Sequence, residues 1–453
     1  MNKKTKNNFF SYIPLFIISA LIIFLLFKSE IIFEGTKRSY YSKYYLILFT
    51  LFFLSIFFLY LKKEIKKYIY IISISIIITF YFFEYYLSKI SRSENSTILE
   101  IKENLYKKKT GKIWDKRTQY QVYRDLFKIN PSVVPYFYPQ ELLLSRLNNK
   151  KIYSLSGVSN SDTIFCNENG YYSINKSDRY GFNNPDENWR SNKAEYVFVG
   201  DSLTHGYCVN RPNDIPSVIS SLSKMNVLNL GYGRNGPLIE YAALREYLPS
   251  KVNKIIFMYF GGNDLENLKY ELTSKILNNY LNDENYTQNL RELQNEINYE
   301  ARKNIEVRSK GEKFSFLFLG KTRKFFDEIS KNNTNIIKNT GLGDEYLFDK
   351  LEKILFLVKK LSAEKKSELY IVDLPVQRYF KNGSCIGNAR TEFKDSLIMK
   401  KIAQKLEIQY IDIHEEVFQK ELNPCELFPF EKFGHYNVDG YKKIALKIYE
   451  KTK

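Results

Sequence analysis

The chain has 453 residues and carries 68 Lys and Arg against 50 Asp and Glu, a formal charge of +18, with 44% of its residues hydrophobic. That length holds one large domain or two ordinary ones with additions. The basic residues are scattered, with no zinc-ligand spacing and no RNA-binding aromatic motif, which argues against a nucleic-acid-binding module.

The longest apolar runs fall within the first 90 residues. Phe9 to Phe27 reads FFSYIPLFIISALIIFLLF without a charge. At about 1.5 Å per residue it matches a hydrocarbon core of about 30 Å. Tyr44 to Leu61 forms a second run and Tyr68 to Phe83 a third, which Tyr85, Tyr86 and Leu87 extend past Glu84. The first run lacks a small-residue cleavage site, so it reads as a retained helix rather than a signal peptide. Lys3, Lys4 and Lys6 precede it, and Lys62, Lys63, Lys66 and Lys67 crowd the second turn. The positive-inside rule puts both clusters in the cytoplasm, and everything after about residue 90 outside a bacterial inner membrane.

Residues 91–190 read as a stalk and extension, punctuated by Pro131, Pro135 and Pro139 and then by the turn formers SGVSNSD, NENG and GFNNPD. From 191 to 453 strands and helices alternate. Strands are expected at Tyr196–Val199, Val227–Leu230, Ile255–Phe260, Leu369–Val372 and Ile408–Ile411. Helices are expected near Ile215–Leu222, Leu238–Tyr247, Tyr346–Leu361, Phe393–Leu406 and Val438–Tyr449. A long, charged, mainly helical insertion runs from about 265 to 343. Such alternation implies a parallel sheet covered on both faces, with functional residues at the carboxyl ends of its strands.

Four short strings sit after such strands or in the last loop: Gly200-Asp201-Ser202-Leu203, the Asn229 to Gly236 stretch NLGYGRNG, Gly261-Gly262-Asn263-Asp264, and Gly434-His435-Tyr436-Asn437. Ser202 falls where a strand enters a helix, and a serine hydroxyl needs a base to become a nucleophile. His435 is the candidate base, because imidazole titrates near neutral pH. Asn263 offers a side-chain NH2, and the Ser202 and Gly233 region offers backbone N–H groups, to the oxyanion of a tetrahedral intermediate. Losing one such donor typically costs about 2.7–4 kcal/mol. Asp201 and Asp264 read as turn-holding residues, His205 as pocket lining and His414 as packing.

Taken together, these strings resemble the SGNH/GDSL hydrolase superfamily over about residues 195–452. SDRYGFNNPDENW (Ser177 to Trp189) and GDSLTHGYCV resemble its membrane-anchored bacterial branch associated with surface polysaccharides. The resemblance implies a flavodoxin-like, doubly wound α/β fold after three transmembrane helices. It also implies a serine esterase, or an acyltransferase by the same acyl-enzyme, acting on O-acyl groups of extracytoplasmic glycans without a cofactor or metal. The family's orienting Asp stands three residues before the histidine, where this chain has Lys432; Glu431, Asp412 and Glu426 are the substitutes. The family glycine falls where this chain has Arg234, with Gly233 and Gly236 beside it. The rival reading is a catalytically silent, SGNH-like glycan-binding or scaffold module. The four cysteines, Cys166, Cys208, Cys385 and Cys425, have no CxxC spacing. Outside the cytoplasm they are expected to pair as Cys166–Cys208 and Cys385–Cys425, against the alternative of four buried thiols.

Overall fold

The computed structural model describes residues 3–32, 35, 38–93, 96–138, 152–313, 315–333, 344–375, 379–381, 384–385, 394–432 and 434–453. Pro139, Phe393 and the last part of the insertion, 334–343, lie outside the described residues. The chain divides into two units, 1–91 with 315–329, and 92–314 with 330–453.

In the first unit, α1 (Lys3–Leu26) continues through a π-helical turn, followed by α2 (Arg38–Leu59) and α3 (Lys63–Ser93). Three stretches in them, Phe10–Ile31, Tyr41–Leu59 and Lys63–Ile90, are long and apolar enough to cross a membrane, and almost none of their surface is buried inside the protein. Rows of exposed Phe, Ile and Leu of this kind are stable only against hydrocarbon.

The second unit opens with α4 (Ser96–Thr110) and α5 (Gln119–Phe127), the latter started by a capping box between Thr118 and Gln121. A small sheet follows, made of β1 (Val134–Pro135), β2 (Asp162–Ile164) and β3 (Ile174–Lys176). The main elements come next: β4 (Lys193–Val199), α6 (Ser202–His205), α7 (Ile215–Ser223), β5 (Val227–Asn229), α8 (Pro237–Tyr247) and β6 (Lys251–Phe260). The insertion supplies α9 (Asp264–Glu271), α10 (Lys275–Asn282), α11 (Gln294–Lys313) and α12 (Gly320–Asn333). The chain closes with α13 (Asp344–Glu364), β7 (Glu368–Leu374), the hairpin β8 (Phe380–Lys381) and β9 (Ser384–Cys385), α14 (Lys394–Lys405), β10 (Gln409–Asp412), α15 (Ile413–Glu416) and α16 (Val438–Thr452).

Five strands pair in parallel in the order β10-β7-β6-β4-β5. By first appearance that is the flavodoxin order, with its switch point between β4 and β6. Alternate side chains point to opposite faces. Val197, Val199, Ile255, Phe257 and Ile371 pack with α8, α13 and α14 on one side. Tyr196, Phe198, Ile256, Met258 and Val372 pack with α7 and α16 on the other. Burial on both faces is why the strands read as unbroken apolar runs rather than alternating ones.

Residues 92–190, expected as a stalk and extension, share the core of the sheet: Val134, Tyr136, Leu155, Phe165, Phe182 and Trp189 are buried in it. The first part of the insertion does the same through Leu268, Tyr280, Ile297 and Ile305. Asp178 is the polar hub of this joint. It accepts from the Tyr180 and Phe182 N–H groups, from Asn184 Nδ2 and from Trp189 Nε1. Asn184 in turn exchanges two hydrogen bonds with the backbone of Asn229 in β5. Burial pushes the Asp178 carboxyl up to about 6 despite those donors. Asp178→Ala should therefore leave buried donors unpartnered and cost at least about 2 kcal/mol. The check is the denaturant midpoint followed by Trp189 emission, and an unchanged midpoint counts against the hub.

Candidate active site

The serine is presented by a tight exit from β4. Gly200 has φ +155°, and a Cβ there would lie 2.0 Å from Thr204 Oγ1, so only glycine fits. Asp201 caps α6 by accepting from the Leu203 N–H at 2.9 Å, and Gly206, at φ +82°, ends that short helix. Ser202 is its first residue. His435 sits two residues ahead of Asn437, whose side chain caps α16.

These two residues meet. Ser202 Oγ lies 3.0 Å from His435 Nε2 and 3.2 Å from Asp201 Oδ2. The far side of the imidazole is held by a carboxylate, and that carboxylate is Glu168. Its Oε1 lies 2.9 Å from His435 Nδ1, and its Oε2 accepts the His435 backbone N–H at 2.7 Å. Roughly a quarter of each side chain remains accessible, 23% for His435 and 24% for Glu168.

None of the three expected acids stands at that position. Asp412 accepts from the Glu415 N–H to cap α15, and Glu426 and Glu431 both face the Asn423 amide, at 3.3 and 3.5 Å. The acid comes instead from the NENG turn, ahead of β4, and its neighbour locates it. Cys166 is bridged to Cys208, with Cα atoms 5.0 Å apart, and Cys208 follows Ser202 by six residues. The Cys208 sulfur lies within 4.8 Å of the Glu168 and His435 ligand atoms. Cys385 and Cys425 form the second bridge.

The electrostatics favour an ion pair. Burial opposes charge on Glu168, but the charge and hydrogen bonds of His435, with the buried Lys102 ammonium behind, hold its carboxyl below the ordinary range. Burial alone would push His435 down; the facing Glu168 outweighs it and raises the imidazole above its ordinary 6.5. When the imidazole is neutral with Nδ1–H toward Glu168, Nε2 accepts the serine proton. When it is protonated, Nε2–H points at Ser202 Oγ and the hydroxyl turns to Asp201.

The other marked residues close around the serine. The Asn263 side chain hydrogen-bonds to Asp201, the same carboxylate that faces Ser202, and its Oδ1 has no hydrogen-bond partner among the described residues. Burial pushes the Asp201 carboxyl up against those bonds. A Cβ on Gly233 would lie 3.6 Å from Ser202 Cβ, so this glycine borders the serine. Its N–H donates to Tyr136 Oη at 2.7 Å. Arg234, where a glycine is the family habit, takes the left-handed φ of +63° that glycine favours, and stacks its guanidinium 3.9 Å from the Tyr138 ring centre. The Tyr207 ring packs 4.7 Å from His435. His205 is buried, bonds Gly231 O through Nδ1, and is pushed down by burial to about 4, so it stays neutral. His414 bonds Tyr379 Oη at 2.6 Å in the opposite core. Beside His435 opens a narrow cleft lined by Leu203, Phe260, Pro375, Phe428 and Tyr436.

The GDSL-like lipase/acylhydrolase family model matches residues 196–448, more than half of the chain, and the chain belongs to that family. It is thus a hydrolase acting on ester bonds, carrying three helices able to span a membrane. Among solved structures it is similar to a lipolytic protein of the G-D-S-L family from Desulfitobacterium hafniense DCB-2, at 15% identity and TM-score 0.30, covering 56% of this chain and 98% of that one. An acetyl xylan esterase is similar at 13% identity and TM-score 0.30, over 57% and 98%. A carbohydrate esterase family 2 enzyme with its carbohydrate-binding domain, from Corynascus thermopiles (Myceliophthora fergusii), is similar at 9% identity and TM-score 0.32, over 62% and 70%. No curated protein matches the chain.

Two expectations test this geometry. Titrated by NMR, His435 should have a midpoint above 6.5, and Glu168→Gln should lower it because burial is then opposed only by the smaller pull of Asp201. An unmoved midpoint would separate the two residues. The bridges close loops of nearly equal separation, 42 and 40 residues, so removing either should cost a similar amount, about 2–4 kcal/mol. Only the Cys166→Ser, Cys208→Ser pair should cut ester hydrolysis of the surviving folded protein, by about tenfold or more, because only that bridge tethers the acid.

Proposed function

We propose that Ser202 is the nucleophile, His435 its general base and Glu168 the orienting acid of an esterase that removes short O-acyl groups from glycans outside a bacterial inner membrane. The observation carrying the proposal is the unbroken line from Glu168 through His435 to Ser202, with contacts of 2.9 and 3.0 Å.

As Ser202 Oγ attacks the ester carbonyl, its proton passes to His435 Nε2, and Glu168 balances the imidazolium. The carbonyl oxygen becomes an oxyanion. An amide NH2 has two hydrogens; Asp201 engages the Asn263 amide, and the second hydrogen together with the Ser202 N–H stabilises that oxygen. The Gly233 N–H, expected as a third donor, holds Tyr136 instead. Collapse breaks the ester C–O bond, and the leaving sugar oxygen takes the proton back from His435. A water molecule then gives a proton to His435 and attacks the acyl-serine; the bond to Ser202 Oγ breaks, Oγ takes that proton back from His435, and the carboxylic acid is released. A second sugar hydroxyl in place of that water gives acyl transfer by the same steps.

The narrow, largely apolar-lined cleft beside His435 suits an acetyl-sized group better than a fatty chain. The extracytoplasmic setting is supported by the lysines before the first span and between the second and third, and by two disulfides, which persist in oxidising compartments. The glycan is supported by the resemblance of the Ser177–Trp189 and GDSLTHGYCV strings to surface-polysaccharide enzymes.

The full chain in nanodiscs should hydrolyse p-nitrophenyl acetate at least about tenfold better than the octanoate, and release acetate from an O-acetylated polysaccharide. Ser202→Ala should abolish both activities and fluorophosphonate labelling; turnover that survives it removes the assignment. Glu168→Gln should lower kcat by about 10²–10⁴-fold with KM little changed. A reporter active only outside the cytoplasm, fused after Lys453, should be active; silence reverses the orientation.

A further inference from the structure

One segment of the insertion belongs with the membrane spans and not with the sheet. Residues 315–329 cluster in the unit of α1 to α3, although the chain on both sides of them belongs to the other unit. The Phe318 ring stacks on Phe24 at 6.3 Å, and Phe325 meets Phe83 edge-on at 5.5 Å. Tyr81 Oη donates to Leu317 O at 2.8 Å, and Lys43 Nζ lies 3.4 Å from Asp327. Successive spans cross in opposite directions, so the end of the first, the start of the second and the end of the third share one membrane face. Phe24, Lys43, Tyr81 and Phe83 all stand there.

The firmest of these ties is Glu84. This buried carboxylate of α3 accepts the Lys321 N–H at 3.0 Å, the Thr322 N–H at 2.7 Å and the Thr322 hydroxyl at 2.9 Å, all in the first turn of α12. A charge inside a span is costly, and a helix N-terminus is a natural counterpart for it. Glu84 is six residues before Ile90, where the span ends, so the pairing lies about 9 Å along the helix from that end.

One side of what the segment leaves uncovered is apolar. Phe316, Leu317 and Phe326 are 51%, 57% and 51% exposed, and Phe318, Phe325 and Ile329 are exposed too. At about 100° per residue, Phe325, Ile329 and Phe326 share one arc of α12, while Arg323, Asp327 and Lys324 share the opposite arc.

We propose that residues 315–329 form a membrane-interface element, pinned to the spans by Glu84, with its aromatic side seated in the lipid of the leaflet where the first and third spans end. Its exposed Lys321, Arg323 and Lys324 then face the phosphates of that leaflet. The proposal rests on the membrane-spanning reading and is independent of the catalytic assignment.

The test uses the full chain in vesicles of phosphatidylethanolamine and phosphatidylglycerol. Its native cysteines are all in disulfides, so Phe326→Cys, Ile329→Cys and, as the polar-side control, Lys324→Cys each carry one thiol for the fluorophore NBD. At 326 and 329 the probe should be quenched by shallow doxyl lipid and several-fold less by iodide than at 324. Equal iodide quenching at all three sites overturns the proposal. Protection from both quenchers also overturns it, because protein rather than lipid would then cover the face. In Glu84→Ala the lipid quenching at 326 should fall several-fold and trypsin should cut at Lys321 to Lys324, while Ser202-dependent hydrolysis, reporting an intact second unit, stays unchanged. Lipid quenching that survives Glu84→Ala in full removes Glu84 as the pin.

Discussion

The Glu168 carboxylate takes both hydrogen bonds that His435 offers away from the serine, one from the backbone N–H and one at Nδ1. Two bonds to one planar group fix the ring's position and its tautomer together, which a single contact could not do. The lone pair of Nε2 is thereby aimed at Ser202 Oγ. The arrangement costs two desolvated groups, and it is stable because each charge is the other's main compensation. Remove the carboxylate, and burial drives the imidazole toward a weaker base in an unspecified orientation.

The carboxylates behind the site show the opposite regime. Glu240 and Asp264 are fully buried next to one another's charge and that of Asp201 and Glu271, and burial with mutual repulsion pushes both far up. Glu271 accepts from the first N–H groups of α8 and still rises to about 8. Glu271 is therefore mostly an acid rather than an anion at neutral pH, and burial weights Glu240 and Asp264 in the same direction. Of the neighbouring carboxylates, Glu168 has the largest upward pull on His435, with Asp201 adding a smaller one.

The sheet was legible in the sequence because strands buried on both faces are written as short apolar runs between helices of 3.6 period. Ser202, Asn263 and His435 were legible because each follows a strand or sits in the last loop, where such a sheet puts its working residues. The acid was not. Family spacing directs the search to positions near 432, whereas Glu168 lies on a turn that precedes the first strand, in a stretch whose Gly, Asn and Ser residues read as irregular loop. A signal was nonetheless present: the expected Cys166–Cys208 pairing carries Glu168, two residues beyond Cys166, to the neighbourhood of Ser202. The return of residues 315–329 to the spans was equally hidden, since SFLFLG is too short to read as a membrane run and lies in a charged segment. What places it is a carboxylate more than two hundred residues earlier, a relation no local pattern encodes.

The sulfur bridge beside Glu168 also gives the protein a calendar. While its thiols stay reduced, the turn bearing Glu168 is held by hydrogen bonds alone, from Asn167 to Asp115 O, from Asn169 to Cys208 O and from the His435 N–H to Glu168. Covalent closure of that loop requires an oxidising environment. Firm pairing of Glu168 with His435 thus follows, in time, the oxidation of those two thiols.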